Sequence, residues 1–481
     1  MSGALRQFFE IYPDDHAATV PLGFCIDGFV YMAGLRAADM ASALKLMQQC
    51  IERAGSSLDN IARAVAYVAK PEDRDPVYGP WDAMFPDAAD RPAFKVLVSP
   101  LPPGIGVRVD AFAVLGARRK RIDIPGVPAR DPTVTAGEWF FTSRVHGTHP
   151  GGAVSDSKDA EIAQAFANIA QLAELSGAKT SDIVQLTAFG KDQSYFGAAR
   201  AAFDKAFPDA KSRPAFQTLV SPIPPRLNVM LEAVGKRGER VAFRELYLDP
   251  AKDPAPSGAQ IGPIVIAPWL AGAGDTVAAV GEGIRKMDKL LAAAGLGQTD
   301  IARVAGFLTT ALERPQMNIP WEKRFPDMDD RPPHKYVGAP LAAGEGAALQ
   351  VLALPGGARR CLVIPGMQHG DPMSMGARTG NLITSSRIFG MKTRTKEMSK
   401  TIEECAATIF ENAQTLLKQG GADWSKLTQA TAFIGNADFA APVQAMWRKH
   451  LGDKPSARLN IIETDLGGGG GVPRLEILAL L

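Results

Sequence analysis

At roughly 150 residues per domain, a chain of 481 residues divides into about three domains. A hydrophobic fraction of 46% and a charged fraction of 22% exclude intrinsic disorder as a description of the whole chain. With 53 Lys and Arg against 51 Asp and Glu, the net charge of +2 gives no general pull towards nucleic acid or an anionic membrane, and aromatics at 7% are too sparse for base-stacking platforms.

Taken in chain order, the N-terminus MSGALRQFFEIYPDD meets charge before any apolar run develops, so no signal peptide is expected there. Cys25, Cys50, Cys361 and Cys405 lie far apart and form no C-x-x-C pair. That spacing speaks against a disulfide framework or structural zinc and points to a reducing cytoplasm. From 138 onwards the elements are clear. Glu138 to Val145 reads as a short apolar strand, followed by a turn containing His146 and His149. These two histidines have i, i+3 spacing but no third ligand nearby, so no metal is expected. A helix follows from about Asp159, with Ile162, Phe166, Ile169 and Ala173 on one face and Gly177 at its C-terminal end. Ile183 to Phe189 is the next strand, and a second helix presents Phe196, Ala199, Phe203 and Phe207. Phe216 to Val220 and Val229 to Val234 supply the last strands. Further on, Ser257 to Gly274 is uncharged but broken by proline and glycine, and reads as strand and turn rather than a membrane span. The Gly467 to Gly471 run reads as a hairpin loop, because no helix start follows it.

The chain repeats itself. FPDAADRPAF at 85–94 recurs as FPDAKSRPAF at 207–216 and as FPDMDDRPPHK from Phe325; LVSPLPP at 97–103 recurs as LVSPIPP at 219–225. GARRKRIDIPG from Gly116 matches GARRCLVIPG from Gly357, and FTSR from Phe141 matches ITSSR from Ile383. Four units follow, at 1–118, 119–239, 240–357 and 358–481, arranged as a two-unit block that was itself duplicated. Each unit reads as β-β-α-β-α-β-β, an α+β sandwich with two helices on one sheet face. The other face needs cover too, so sheets are expected to pack inward with helices outside.

The most specific segment lies in 358–481. Gly370-Asp371-Pro372-Met373 leads to Asn381; Ile383-Thr384-Ser385-Ser386 forms an inner strand; Ala457-Arg458-Leu459-Asn460 precedes a strand containing Leu475-Glu476-Ile477. These stretches resemble the G-P-Y, I-T-S-G, P-A-R-S/T and E-(I/V)-E-A segments of the Rid family, the YjgF-type reactive-intermediate deaminases also filed as L-PSP endoribonucleases. The resemblance covers essentially the whole chain, four times over, and implies a chorismate-mutase-like fold with clefts between neighbouring units. It implies that Arg458 anchors a substrate carboxylate and that Glu476 positions the attacking water. A guanidinium fork suits a carboxylate, and an imine needs little beyond water and proton relay. Ser385 joins the catalytic set, with polar contacts from Ser386, Asn460 and Met373.

Departures qualify the resemblance. At the Arg458 position the other units have Phe94, Phe216 and His334; at the Glu476 position they have Asp110, Glu232 and Gln350. The family tyrosine is replaced by Met373 and Thr133. The best-preserved site is thus in 358–481 and a partial one, with Ser143 and Glu232, in 119–239. Arg144 and Arg387 directly follow the TS strand in these two units, as an alternative anion anchor or as interface charges. The expected activity is hydrolytic deamination of an imine or enamine of a small carboxylated metabolite, without a cofactor. The alternatives are a non-catalytic carboxylate-binding scaffold and, less well matched because Ser-Gly-Gly is absent, a cyclic-amide hydrolase. Unit counting favours a homotrimer or a multiple of three, since rings of three must share four units per chain.

Overall fold

The computed structural model describes residues 8–11, 21–209, 213–223, 226–238, 243–250, 252–253, 256–452, 457–464 and 472–481. It is a mixed α+β chain with four multi-stranded sheets, falling into two compact halves, Met1–Phe243 and Arg244–Leu481.

The first half begins with β1 (Phe8–Ile11), β2 (Gly23–Ile26), β3 (Phe29–Ala37), α1 (Met40–Arg53), β4 (Ile61–Val68), α2 (Tyr78–Met84), β5 (Ala93–Val98) and β6 (Val107–Val114). It continues with β7 (Arg119–Ile122), β8 (Thr133–Ala136), β9 (Trp139–Phe141), α3 (Lys158–Leu175), β10 (Ile183–Gly190), α4 (Phe196–Ala206), β11 (Ala215–Val220) and β12 (Val229–Lys236). The two sheets run β1-β2-β3-β6-β4-β5 and β11-β10-β12-β9-β8-β7.

The second half repeats this plan. Its first sheet, β13-β14-β15-β18-β16-β17, uses β13 (Phe243–Leu246), β14 (Gly258–Ile261), β15 (Ile264–Ala273), β16 (Ile301–Leu308), β17 (His334–Gly338) and β18 (Glu345–Ala353), with α5 (Thr276–Ala293) and α6 (Arg314–Arg324). Its second sheet uses β19 (Arg360–Leu362), β20 (Gly376–Thr379), β21 (Leu382–Ser385), β22 (Ile388–Phe389), β23 (Leu427–Ile434), β24 (Arg458–Glu463) and β25 (Arg474–Leu480), in the order β19-β20-β21-β25-β23-β24 with β22 also on β25. The helices are α7 (Ile402–Gly420) and α8 (Ala440–Leu451).

Helices form where apolar residues recur at helical spacing behind a cap. Ser157 caps α3 by accepting from the Ala160 amide at 3.2 Å, and Ile162, Ala165, Phe166 and Ile169 are buried against β12 and its neighbours. Gly177 follows the last turn at φ 71°, a conformation in which glycine carries no Cβ penalty. On the side away from the helices the two sheets of each half meet. In the first half Phe29, Phe112, Trp139 and Phe141 cluster there, with Phe29 and Trp139 centroids 4.6 Å apart. In the second half Ala302, Leu354 and Leu382 are buried at the same place.

The strand expected over 138–145 is shorter in the structure, and the interruption has a cause. After Phe141 the Thr142 hydroxyl, not a backbone carbonyl, accepts the Ala233 amide at 2.8 Å; pairing resumes at Val145 with Leu231. Ser385 does the same for the Ile477 amide at 2.9 Å, after which β22 begins. The break shifts the alternation of side chains, so that Ser143 reaches the neighbouring sheet and donates to the Phe94 carbonyl at 2.6 Å.

Among the described residues no helix is long and apolar enough to cross a membrane, and all four cysteines are free. No group of three or more His, Cys, Asp or Glu is placed to hold a metal ion among the described residues; His146 and His149 contact the Val229 carbonyl and Ser155. Gly467 to Gly471 lie outside the described residues.

Candidate active site: an arginine-lined cavity in the second half

Strand alternation sends Leu475 and Ile477 into the helix-side core and Glu476 to the opposite face, which the neighbouring sheet covers. Glu476 is only 2% exposed. Its Oε2 accepts from Lys335 Nζ at 2.8 Å and lies 3.4 Å from Arg303 Nη1. The first half builds the same cluster, with Glu232 paired to Lys95 and Arg63. Burial pushes Lys335 below the usual lysine range, and the adjacent Glu476 charge opposes that shift. Burial likewise holds Arg63 down at about 10. A three-membered ionic cluster present in both halves reads as a clamp between paired sheets.

The halves share a cavity lining only in part: Arg314, Asp371 and Arg387 match Arg74, Asp131 and Arg144, whereas other lining positions differ. The second half contains a cavity of about 390 Å³ bordered by Arg314, His369, Asp371, Arg387 and Arg474. A smaller one, about 40 Å³, shares those residues and reaches His334, Lys335, Tyr336 and Met373. Arg387 enters directly after the break at the end of β21; its guanidinium lies 4.2 Å from the centroid of the Phe433 ring. Among the described residues, the buried Nε and Nη2 of Arg387 find no hydrogen-bond partner. Burial first, opposed by Glu476 and reinforced by Arg474 and Arg314, brings this arginine down to about 10.

His369 contributes a neutral imidazole, since burial holds it at about 4. Its Nε2 lies 2.6 Å from Ser386 Oγ, which itself donates to the Met375 carbonyl at 3.0 Å. A hydroxyl has one proton, so Nε2 is the donor and the lone pair is on Nδ1. Behind Asp371 runs a polar chain. His334 Nε2 lies 2.7 Å from Tyr336 Oη, the Tyr336 hydroxyl donates to Asn318 Oδ1, and Asn318 Nδ2 donates to Asp371 Oδ1 at 3.1 Å. Arg314 Nη1 is 3.7 Å from Asp371 Oδ2.

At the positions of His334, Tyr336, His369 and Arg474 the first half has apolar groups instead. Phe94 pairs with Ala64 as His334 pairs with Val304, and it stacks on Trp81 at 4.0 Å. Val96 stands for Tyr336, Tyr78 for Asn318, Ala129 for His369 and Met230 for Arg474. The Arg387 counterpart, Arg144, donates to the Val96 carbonyl.

The residues expected from sequence are therefore divided. Ser386, Arg387 and Met373 belong to the cavity region; Glu476 sits behind it, paired to Lys335. Ser385 is fully buried and holds the strand break, which leaves it no place at a reacting centre. Arg458 is exposed at the start of edge strand β24 and lines neither cavity, so the expected anchor does not join this site; Asn460, half-buried on the same strand, pairs with Thr431. In the first half Ser143, Arg144 and Glu232 all make contacts across the paired sheets. Sequence reading missed Arg314, Arg474, His369 and Tyr336. For Arg474, His369 and Tyr336 the signal available was a polar residue in one half where the other has an apolar one; Arg314 has Arg74 as its counterpart and carried no such signal.

Residues 130–235 match the family model described as endoribonuclease L-PSP. No curated protein matches the chain. Similar solved structures include the Rid-family protein YyfA from Yersinia pestis, of unknown function (17% identity, 26% of this chain and 100% of that one, TM-score 0.24). Others are a putative endoribonuclease from Thermotoga maritima (22%, 25% and 97%, 0.23) and RidA from the Antarctic bacterium Psychrobacter sp. (18%, 24% and 93%, 0.23).

Proposed function

We propose that the protein is a divergent Rid-type hydrolase whose working site is the second-half cavity, where an imine or enamine of a small carboxylated metabolite is hydrolysed. The observation that carries this reading is the Arg387 guanidinium, which borders the cavity with two buried nitrogens, Nε and Nη2, unpaired among the described residues. An unsatisfied buried donor costs about 1–3 kcal/mol, more when charged, and a ligand carboxylate removes that cost. With the carboxylate held on Arg387, the Nδ1 lone pair of His369 takes a proton from water as oxygen attacks the C=N carbon. Asp371 faces the cationic nitrogen of the protonated imine. Returning that proton to nitrogen in the carbinolamine makes ammonia the leaving group; as the C–N bond breaks, the freed Nδ1 lone pair of His369 takes the hydroxyl proton, giving the oxo acid and ammonia.

The test pairs Arg387→Gln with calorimetric titration of small carboxylates and an ammonia-release assay on imino acids generated in situ. We expect one ligand per chain, and roughly 100-fold loss of kcat/KM in the variant from the missing charge-assisted bonds. Undiminished binding and turnover in the variant would overturn the reading. Binding without ammonia release favours the second reading, a carboxylate-binding scaffold; the engagement of Glu476 in ion pairs supports that alternative.

The same family reading carries an assembly count. If modules close in rings of three, a chain of four modules needs three chains or a multiple. Leu219 and Val220 on edge strand β11 and Ile462 on edge strand β24 are 43%, 54% and 43% exposed, apolar surface suited to such closure. Mass photometry is expected to give a trimer or a multiple of it, and a stable monomer would contradict the count.

A further inference from the structure

The lining of the cavity is of two kinds. Arg387, His369 and Asp371 are polar, and Phe389, Met398 and Val472 bring apolar surface to the same space. The His369 and Phe389 ring centroids are 5.6 Å apart, so the two kinds of surface adjoin. We propose that the acid bound here carries a bulky apolar substituent, branched or aromatic, which packs on Phe389, Met398 and Val472 while Arg387 holds the carboxylate. This rests on the Arg387 reading above and adds the class of side chain that the ligand presents.

The first half shows what the fold does at the same three places when no such surface is made. Asn412 donates to the Phe389 carbonyl at 3.1 Å, and Asn168 donates likewise to the His146 carbonyl at 2.8 Å, so His146 is the counterpart of Phe389. The His146 Nδ1 lies 3.4 Å from the Val229 carbonyl. Val472, two residues before Arg474, answers to Asn228, two before Met230. Asn228 donates through its backbone and side-chain nitrogens to the buried Glu161 at 2.8 and 2.7 Å, and Cys405 takes the place of Glu161 in the second half. Met398 bridges Met391 as Val154 bridges Thr148. Val154 packs on Phe189, Ile223, Leu227 and Met230, whereas Met398 is 45% exposed.

A polar solution therefore exists at two of these places and a covered one at the third. The second half replaces the polar pair with apolar groups, yet does not bury them fully. Phe389 and Val472 rest on the core and also border the cavity. Apolar surface contributes in proportion to the area taken from water, and at a cavity wall that area is covered only by a ligand with apolar surface of its own. Small-molecule sites enclose about 70–90% of their ligand's surface, and a three-carbon acid leaves much of a volume of about 390 Å³ unfilled.

Isothermal titration of the full chain with propionate, 3-methylbutanoate, 4-methylpentanoate and 3-phenylpropionate tests this in the natural chain and in Met398→Ser, Val472→Asn and Arg387→Gln. We expect affinity to rise roughly fourfold per buried methylene, so that the largest acids bind at least tenfold more tightly than propionate. Met398→Ser, at a position nearly half-exposed and so of little weight in folding, should cut the ratio of 4-methylpentanoate to propionate affinity about threefold or more, and Val472→Asn should do the same. Arg387→Gln should weaken every acid alike and keep the dependence on size. Affinity that does not rise with apolar size, or a rise untouched in both Met398→Ser and Val472→Asn, overturns the apolar wall; the Arg387 reading then stands wherever Arg387→Gln still weakens binding. No binding of any of these acids, with Arg387→Gln indistinguishable from the natural chain, overturns both.

Discussion

Glu476→Gln is expected to destabilise the second half by about 3–5 kcal/mol, and Glu232→Gln the first half by a similar amount. In each case one carboxylate is shared by a lysine and an arginine from the paired sheet, and neutral glutamine leaves those cations buried without a counter-charge. Desolvation has already been incurred at these cations, so losing the partner exposes its full cost. The effect should appear in denaturant unfolding or calorimetry of the full chain. Pairing Glu476→Gln with Lys335→Met, which removes a cation as well, should recover a substantial part of the loss. A purely catalytic Glu476 predicts a different pattern: Glu476→Gln lowers turnover with stability unchanged, and Glu232→Gln behaves unlike it. Equal destabilisation in the two halves identifies the cluster as the clamp that joins their sheets.

The same logic explains what was legible in the sequence. The repeats that organise the chain are structural locks. In FPD-x-x-x-RP, the arginine Nε reaches back to the phenylalanine carbonyl: Arg91 to Phe85 at 2.7 Å, Arg213 to Phe207 at 2.7 Å and Arg331 to Phe325 at 2.8 Å. In GARR, Arg119 donates to the Leu58 carbonyl at 2.6 Å and Arg359 to the Gln298 carbonyl at 2.7 Å. Motifs that hold a turn or join two sheets must recur wherever the sheet recurs, so they reveal the architecture. Helix faces such as Ile162, Phe166 and Ile169 were legible for a related reason, because burial imposes a period on the chain.

The cavity was not legible in that way. Arg314, His369 and Arg474 come from a helix start, a loop and a strand start that are far apart in sequence and carry no shared spacing. Arg458 drew attention because its local motif was recognisable, but its place on an edge strand takes it away from the cavity. Duplication offered the useful contrast. Where both halves keep a residue in the same contact, as with Arg63 and Arg303 on their glutamates, the shared demand is structural. Where one half has Phe94, Val96 and Met230 and the other His334, Tyr336 and Arg474, the polar set needs a reason beyond folding, because the apolar set already folds.

That contrast also predicts how the protein responds to acid. His334 is fully buried and held at about 3, mainly by burial, with the neighbouring charges of His369 and Arg331 pushing the same way; His369 stands at about 4. Both lie below the value near 6.5 expected in an unfolded chain. Between these limits the unfolded state takes up protons that the folded state refuses. Stability is therefore complete above about pH 6.5 and is lost as pH falls towards 4 and 3. For His334 alone the loss at pH 5 is about 2 kcal/mol. His334→Phe copies the first half, where Phe94 stacks on Trp81 much as His334 packs on Trp321 at 4.5 Å. The variant should give up about 1 kcal/mol at neutral pH for the lost bond to Tyr336. Between pH 7 and pH 5 it should then lose about 2 kcal/mol less than the natural chain, measured by denaturant titration at each pH. An unchanged pH slope would mean that His334 is protonated in the folded state, and that the polar chain behind Asp371 is charged at its far end.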